Sequence, residues 1–309
     1  MDLGVFKKLC EMFREGSQLA LFGRGETLLN PHFVNMLTLA KEGEMTVSFN
    51  SNGTRITDEI AEQMVLLEQD ALVISFSAGE EDTYERVHKG ARYEKTIENI
   101  KRINGYKEMY GKKLPLLNFE FVAMRQNIEE LPALIRLAQS LHVERIMVIH
   151  LTVHDDDMLD QMLDQPKYLE LTTTVFNASK ALARELGIEL RLPVLMDPLT
   201  KKFAETQEEI DATKNGIDPQ ISTEGLCLEP WQTFYVRSNG DVMPCVITNR
   251  CMGNLANQTA EEVWNGEMFQ SFRKRMKSSD KPPECKVCHL LPGNKVFDKR
   301  INDPSFYQS

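Results

Sequence analysis

The chain has 309 residues, 42% hydrophobic and 27% charged, and this length can bury a sizeable core in one large domain and a smaller one. Its net charge of -10 argues against nonspecific binding to nucleic acid, which depends on concentrated Lys and Arg. No apolar run approaches the roughly 18 residues of a membrane span and nothing at the N-terminus resembles a secretory signal, so we expect a cytoplasmic protein outside the membrane.

Up to residue 190, apolar runs alternate with amphipathic stretches. This alternation predicts a parallel sheet with both faces covered, as in a barrel or a doubly wound fold. The predicted strands are Gln18–Phe22, Met45–Asn50, Ala71–Ser77, Leu114–Met124 and Glu144–Leu151. The predicted helices are Leu3–Glu15, Pro31–Glu42, Asp58–Leu67, Tyr93–Tyr110, Leu131–Leu141 and Tyr168–Leu186.

Local signals mark two helix starts and the domain organisation. Asn30 before Pro31 predicts an N-cap followed by a proline at the first helical position, and Thr259 with Glu262 predicts a capping box. Residues 152–166 are predicted to form a solvated loop. We expect a first domain at residues 1–196, a linker at 197–224 and a small domain at 225–309.

Three polar turns follow predicted strands: Gly23–Thr27, Ser51–Gly53 and Ser75–Gly79. In a parallel barrel, functional residues gather at the C-terminal ends of the strands. In the first turn, glycines allow the backbone to approach a ligand, and Glu26 offers a carboxylate to a cationic group. Each turn taken alone is more typical of an ordinary strand–helix connection.

Four of the six cysteines form the most informative pattern of the C-terminal third. Cys227 and Cys245 flank a predicted hairpin turn at Asn239–Gly240, which would place both sulfurs at the ends of its strands. Cys285 and Cys288 form a Cys-x-x-Cys pair, whose spacing lets both sulfurs face one metal centre. We predict that these thiolates hold a metal ion or an iron–sulfur cluster.

Three fates compete for these thiols. Disulfides fit least, because a chain without a secretory signal is expected in a reducing cytosol. A tetrahedral zinc site and an iron–sulfur cluster both use four thiolates, and the spacing alone does not separate them.

The remaining cysteines and the histidines are weaker candidates. Cys10 lies on the apolar face of the first predicted helix, as is typical of a buried small residue. Cys251 is either a fifth thiol near the site or a core residue. His88 and His142 are predicted to be solvated, and His150 with His154 brackets a strand end instead of sharing a helical face.

The sequence around the four cysteines resembles the SPASM or twitch extension of radical SAM enzymes. The resemblance covers about sixty residues and includes the Cys-x12-Gly-x4-Cys element and the final cysteine pair. Further matching segments are Cys227-Leu-Glu-Pro-Trp231, Gly253-Asn-Leu255, Glu262-Val-Trp-Asn265 and Arg273.

In that family such cysteines hold an auxiliary iron–sulfur cluster. The resemblance therefore implies an auxiliary 4Fe-4S cluster on the four cysteines. Longer SPASM patterns carry two further cysteines where this chain has Asn294 and Asp298, which implies one auxiliary cluster and not two.

Taken together, the three strand-end turns resemble the radical SAM core in order and spacing. The segment from Gly23 to Glu26 matches the glycine-rich motif that contacts the amino group of S-adenosylmethionine in that family, and the other two turns match the ends of the next two strands. The resemblance implies an α/β fold with a partial (β/α) TIM-like barrel. It also implies S-adenosylmethionine contacts at Gly23, Gly25, Glu26, Ser51, Asn52 and Ser75.

The chain departs from the family pattern in three places. Thr27 stands where proline is usual, and Ser77 stands where aspartate is common. The Cys-x3-Cys-x2-Cys loop, whose thiolates hold the cluster that cleaves S-adenosylmethionine, is not found in the sequence. We therefore expect the chain to be part of a longer enzyme in which that loop precedes the first helix.

The resemblance implies an enzyme that uses S-adenosylmethionine to make a 5'-deoxyadenosyl radical, which abstracts hydrogen from a peptide, a protein or a small molecule. The auxiliary cluster would anchor the substrate or pass electrons, and a flavodoxin or ferredoxin would be the reductant. The alternative is a noncatalytic iron–sulfur or zinc-binding protein on the same scaffold. Nothing in the residues selects one substrate.

Overall fold

The computed structural model describes residues 1–14, 16–23, 25–151, 156–163, 165–193, 227–286 and 288. These residues form two compact units. The larger unit contains residues 13–193, and the smaller one contains Met1–Met12 together with residues 227–286 and 288. The first helix thus groups with the C-terminal part of the chain. The predicted linker at 197–224 and its boundaries lie outside the described residues and stay predictions.

The larger unit is built on one six-stranded parallel sheet whose strands pair in the order in which they occur in the chain. In this register Phe49 lies beside Leu72, and Ile74 lies beside Phe119. The strands are β1 (Gln18–Leu21), β2 (Thr46–Ser51), β3 (Ala71–Ser75), β4 (Leu116–Ala123), β5 (Arg145–His150) and β6 (Glu189–Arg191).

Helices connect these strands. In the described residues, no helix combines the length and the apolar character needed to cross a bilayer. Short 3-10 helices occupy Thr27–Leu29, Ile128–Glu130, Asp156–Gln161 and Pro166–Tyr168. The α-helices are α1 (Leu3–Met12) of the smaller unit, then α2 (Phe33–Glu42), α3 (Asp58–Leu66), α4 (Glu81–Val87), α5 (Tyr93–Tyr110), α6 (Leu131–Ser140) and α7 (Leu169–Leu186) of the larger unit.

The strand order decides between the two predicted architectures. Each connection leads to the next strand on the same side of the sheet. Because such crossovers are right-handed, the connecting helices lie on one face of the sheet. A doubly wound sheet reverses direction at its centre, whereas this sheet continues as in a (β/α) barrel. Within the described residues β1 and β6 each pair on one side only, so the sheet is open. The predicted α/β class with a partial barrel is confirmed in this form.

One face of the sheet is apolar and shielded from solvent. Phe49, Leu72, Phe119 and Phe121 have no exposed surface, and burying a side chain of this size contributes about 1.5–3 kcal/mol. Because side chains alternate along a strand, the residues between them form the opposite face, which is partly exposed. The sheet therefore has one buried and one partly exposed face, where we predicted two covered faces.

The predicted strands and helices are all present, with ends that lie within three residues of the prediction. Sequence analysis missed α4 and β6, and residues 156–161 of the predicted loop are helical. The predicted cap at Asn30 is wrong, because α2 begins at Phe33. The Asn30 side chain instead accepts a hydrogen bond from the His32 N–H at 3.0 Å, which forms a turn ahead of the helix.

The smaller unit contains a three-stranded antiparallel sheet of β7 (Tyr235–Val236), β8 (Asp241–Met243) and β9 (Gly253–Asn254). The predicted turn joins β7 to β8, and Gly240 has the positive φ of +87° that favours glycine. The predicted capping box is confirmed by reciprocal hydrogen bonds between Thr259 and Glu262. The helices are α8 (Glu229–Gln232), α9 (Ala260–Trp264), α10 (Glu267–Met276) and α11 (Pro283–Lys286).

Helix α1 is tied to this smaller unit by a lysine. The Lys8 ammonium donates hydrogen bonds to the carbonyl oxygens of Leu255 at 2.7 Å and Ala256 at 3.2 Å, directly after β9. The same helix packs against α9. Residues 1–12 and the described residues from 227 onward therefore contribute to one folded unit.

Gly53, in the turn after β2, combines a left-handed backbone with close packing. Its φ is +75°, and a Cβ there would lie 2.9 Å from Thr96 Cγ2 and 3.2 Å from Ile74 Cγ2. We expect Gly53→Ala to lower the free energy of unfolding by about 2–4 kcal/mol, because backbone strain and overpacking add. Chemical denaturation measures this loss.

The matched control is Gly90→Ala, because Gly90 also has a positive φ of +86° but nothing within 4 Å of the added Cβ. That variant should lose only about 1 kcal/mol, the cost of the left-handed backbone. Equal losses in the two variants would contradict the packing part of the explanation.

Candidate functional site

The carboxylate of Glu26 organises the turn after β1. Its Oε1 accepts hydrogen bonds from the Leu28 N–H at 3.0 Å and the Ser51 hydroxyl at 2.7 Å, and its Oε2 accepts one from the Asn52 N–H at 2.8 Å. One side chain thus joins the C-terminal ends of β1 and β2. A carboxylate offers about four acceptor positions, and these bonds use three of them.

The two predicted glycines of this turn are exposed. Gly25 has a φ of +113°, and a Cβ built on either Gly23 or Gly25 would meet no atom within 4 Å. The backbone beside Glu26 is therefore open to a ligand. Ser75 ends β3, which pairs with β2, so the structure brings all six predicted contact residues to three consecutive strand ends.

Ser77, just after β3, is held in place by three hydrogen bonds. Its hydroxyl accepts a hydrogen bond from the Val122 N–H at 3.1 Å, its carbonyl accepts one from Asn127 Nδ2 at 2.8 Å, and its N–H donates to His88 Nε2 at 3.1 Å. Burial lowers the pKa of His88 to about 4, so the ring is neutral and can accept this bond. The prediction that His88 is solvated is wrong, because the ring is half-buried against the end of β3.

Glu120, which was not among the residues predicted from the sequence, places a carboxylate on the partly exposed face of the sheet. Glu120 lies in β4 beside Ser75 of β3 and Met147 of β5. Its side chain forms no hydrogen bond or ion pair with the residues that the structure describes. Burial raises the pKa of this carboxyl. The signal was present in the sequence, because Asn118 and Glu120 interrupt an apolar strand at alternate positions.

The four predicted cysteine ligands come from three segments of the smaller unit. Cys227 precedes α8, Cys245 lies two residues after β8, and Cys285 lies in α11 with Cys288 just beyond it. The hairpin is present, but α8 separates Cys227 from β7. The prediction that Cys227 ends a hairpin strand is therefore wrong.

The four thiols lie close enough to affect one another's protonation. Burial, followed by the Glu284 carboxylate and the other three thiols, raises the pKa of Cys285 to about 12. Burial likewise raises the pKa of Cys227 and of Cys245. In the described part of the chain, no three His, Cys, Asp or Glu side chains are arranged to hold a single metal ion.

Backbone donors at these sulfurs favour the opposite protonation state. The N–H groups of Thr248 and Ile247 hydrogen-bond to the Cys245 sulfur, and that of Glu229 bonds to Cys227, which lowers both thiol pKa values against the effect of burial. A bound cationic centre deprotonates a coordinating thiol outright. The four neighbouring thiols, two of them with N–H donors beside the sulfur, are not arranged around a single ion, but they are the residue type that holds an iron–sulfur cluster.

Two arginines connect the cysteine-bearing segments to their surroundings. Arg250 Nε donates to Glu284 Oε1 at 2.5 Å, and Nη2 donates to Oε2 at 3.3 Å, which joins the loop after β8 to α11. Arg273 donates to the carbonyl oxygens of Pro230 at 2.9 Å and Trp264 at 2.8 Å. Its guanidinium lies 4.1 Å from the centroid of the Trp264 ring. These contacts hold the segment after Cys227 in place.

The other candidate cysteines and histidines differ in exposure and contacts. Cys251 is exposed, so it is not a core residue, and its thiol donates to the Gly253 carbonyl at 3.2 Å and also bonds to Asp241. Cys10 is half-buried in α1. His142 and His150 are exposed, and His154 lies outside the described residues.

Two family models match the chain. Residues 2–138 match the radical SAM superfamily, and residues 227–289 match SPASM, an iron-sulfur cluster-binding domain. The first match includes the strand ends around Glu26, and the second includes the four clustered cysteines. The chain therefore carries a radical SAM domain at residues 2–138 and a SPASM domain at residues 227–289.

Curated relatives are distant but extend over most of the chain. The chain is 23% identical over 314 residues to the tungsten-containing aldehyde ferredoxin oxidoreductase cofactor-modifying protein of Pyrococcus furiosus, covering 94% of this chain and 79% of the relative. It is 22% identical over 281 residues to the AdoMet-dependent heme synthase of Methanosarcina barkeri, covering 88% of this chain and 75% of the relative.

Among solved structures, Streptococcus suis SuiB bound to precursor peptide SuiA is similar with a TM-score of 0.60 and 17% identity. The match covers 93% of this chain and 63% of SuiB, so the chain spans less than two thirds of that protein. At this identity the likeness shows the fold alone.

Glu120 should give stability a measurable pH dependence. Because burial raises the pKa of this carboxyl in the folded state, the native state binds more protons than the unfolded state between the two pKa values, and stability falls as pH rises through that window. Glu120→Gln cannot ionise, so its stability relative to the wild type should increase from acidic to neutral pH.

Urea denaturation at a series of pH values measures the difference. Glu129→Gln, at an exposed carboxylate, is the matched control and should run parallel to the wild type. A Glu120→Gln difference that stays constant with pH would count against the assignment.

Proposed function

We propose that this chain is the radical SAM and SPASM part of an iron–sulfur enzyme that binds S-adenosylmethionine and modifies a peptide, a protein or a small molecule. The observation that carries the proposal is the gathering of Cys227, Cys245, Cys285 and Cys288 from three segments within the SPASM match. The strand ends around Glu26 lie in the radical SAM match and support the second half of the proposal.

The four cysteines would hold one auxiliary 4Fe-4S cluster. Zinc uses the same set of thiolates, and the match to an iron-sulfur cluster-binding domain favours the cluster. When bound, such a cluster supplies one-electron transfer or an anchoring site for a substrate. The chain's own contribution is to bury the sulfurs and to direct N–H groups such as those of Ile247 and Thr248 at Cys245.

S-adenosylmethionine would bind at the edge of the sheet where the C-terminal ends of β1, β2 and β3 lie. Its ammonium group fits the remaining acceptor capacity of Glu26, whose position the bonds from Ser51 and Asn52 fix. The exposed turn of Gly23 and Gly25 would receive the backbone contacts, and Ser75 would extend the site along the edge.

The partly exposed sheet face next to this edge would receive the substrate. Glu120 supplies a carboxylate there, beside Ser75. The named relatives include a cofactor-modifying protein and a heme synthase, and the SuiB structure contains a precursor peptide. These names support small molecules and peptides as substrate classes. A flavodoxin or ferredoxin would supply electrons in the cytoplasm.

Anaerobic reconstitution tests the cluster. The wild-type chain should bind about four iron and four sulfide, and Cys288→Ala should lose most of both, because a cluster with three thiolates is poorly held. Iron and acid-labile sulfide analysis with the visible spectrum measures this. Cys251→Ala is the control and should retain the full content. Stoichiometric zinc without sulfide would favour the noncatalytic zinc-binding alternative.

Glu26→Gln tests the nucleotide site. Loss of the carboxylate charge should weaken S-adenosylmethionine binding by about tenfold or more, because a hydrogen bond to a charged group contributes about 1.5–3 kcal/mol. Equilibrium dialysis with labelled S-adenosylmethionine measures the dissociation constant.

Thr27→Ala is the matched control for Glu26→Gln. It removes a side-chain hydrogen bond of the same turn, from the Thr27 hydroxyl to the Leu21 carbonyl at 3.3 Å, and leaves the Glu26 charge in place, so it should weaken binding far less. Similar losses in the two variants would assign Glu26 to the turn structure and not to the ligand.

A further inference from the structure

An ion pair connects two of the cysteine-bearing segments. Arg250 lies in the loop that follows Cys245, and Glu284 immediately precedes Cys285. The two side chains are joined by two hydrogen bonds, from Nε at 2.5 Å and from Nη2 at 3.3 Å. The Thr248 hydroxyl lies 3.5 Å from Glu284 Oε1, and it accepts a hydrogen bond from the backbone N–H of Arg250 at 3.0 Å.

Both charges lie beside one cysteine-bearing segment. Glu284 is the chain neighbour of Cys285, and the Arg250 guanidinium is hydrogen-bonded to the Glu284 carboxylate. The Glu284 and Arg250 side chains are only 25% and 38% exposed, so solvent screens them less than a fully exposed pair. A positive and a negative charge thus lie side by side next to the segment that carries Cys285.

We propose that Arg250 and Glu284 form a charge pair in which each partner offsets the effect of the other on the reduction potential of the cluster bound by the four cysteines. This inference rests on the proposed function, because it requires an iron–sulfur cluster at that site. Reduction adds one electron from an external reductant and breaks no bond, so the cluster becomes more negative by one charge. A nearby positive charge stabilises the reduced state, and a nearby negative charge opposes it.

The two partners should therefore shift the potential in opposite directions. Arg250→Gln leaves Glu284 uncompensated and should make the midpoint potential more negative. Glu284→Gln leaves Arg250 uncompensated and should make it more positive. The double variant removes both charges and should return close to the wild type. A pair that only held the two segments together would not give shifts of opposite sign.

The experiment uses the full chain, reconstituted anaerobically with iron and sulfide and titrated with dithionite in the presence of redox mediators. The electron paramagnetic resonance signal of the reduced cluster reports the midpoint potential. Arg250→Lys keeps the charge and should stay near the wild-type value. Arg275→Gln removes an arginine that pairs with Asp280 instead, and should shift the potential less than Arg250→Gln.

The outcomes separate this inference from the proposed function. If the wild-type chain binds no iron and sulfide, the proposed function fails. If the cluster forms but the two single variants shift the potential in the same direction, or not at all, the charge-pair inference fails while the proposed function stands. Loss of the cluster from both single variants, with the fold retained by circular dichroism, would also overturn the inference, because the pair would then serve cluster retention.

Discussion

The larger unit depends on one constraint, the pairing of six parallel strands in chain order. Because every strand points the same way, every C-terminal strand end lies on one edge, and the helices that follow cover one face. The polar side chains of the strands and of the turns after them lie at that edge and on the opposite face. Glu26, Ser75 and Glu120 lie there, while Phe49, Phe119 and Phe121 occupy the covered face. The order of the strands therefore separates the apolar side chains that stabilise the sheet from the polar side chains of the candidate site.

The smaller unit is held together differently. Its described strands have only two or three residues. A unit of this size needs stabilisation beyond its core. Arg273, clamped between two carbonyl oxygens and the Trp264 ring, provides one part. The clustered thiols would provide another once a metal centre is bound, because binding energy is then also folding energy.

The sequence predicts the fold of the larger unit well where a segment is long and apolar. Runs such as Ala71–Ser75 and Arg145–His150 bury alternate residues completely, so their pattern reports their position. Helix α4 and strand β6 are short, and packing and pairing with neighbours determine them more than local pattern does. Asn30 shows the same limit, since its amide forms a turn that resembles a cap in sequence.

The candidate site was predictable in part. The cysteine spacing points to residues whose chemistry has few other uses, whereas the glycine turn gains meaning only beside the other strand-end turns. Glu120 escaped notice because a polar residue in a strand gains meaning only when the exposed face is known. His88 was misassigned because the ring is half-buried against Ser77, a contact between strand end and helix end that no local pattern encodes. Tertiary contacts of this kind set protonation states.

The link between α1 and the end of β9 has a consequence for synthesis of the chain. Lys8 and Leu255, joined by a hydrogen bond, are 247 positions apart. At about 5–20 residues per second, the ribosome completes α1 roughly 10–50 s before its partner emerges. During that interval the sheet between them can fold, while the buried residues Phe6 and Leu9 of α1 lack the contact with α9. The nascent chain therefore carries α1 as an unpaired amphipathic helix until α9 has been made, and the unit that contains the four cysteines is completed only after the sheet.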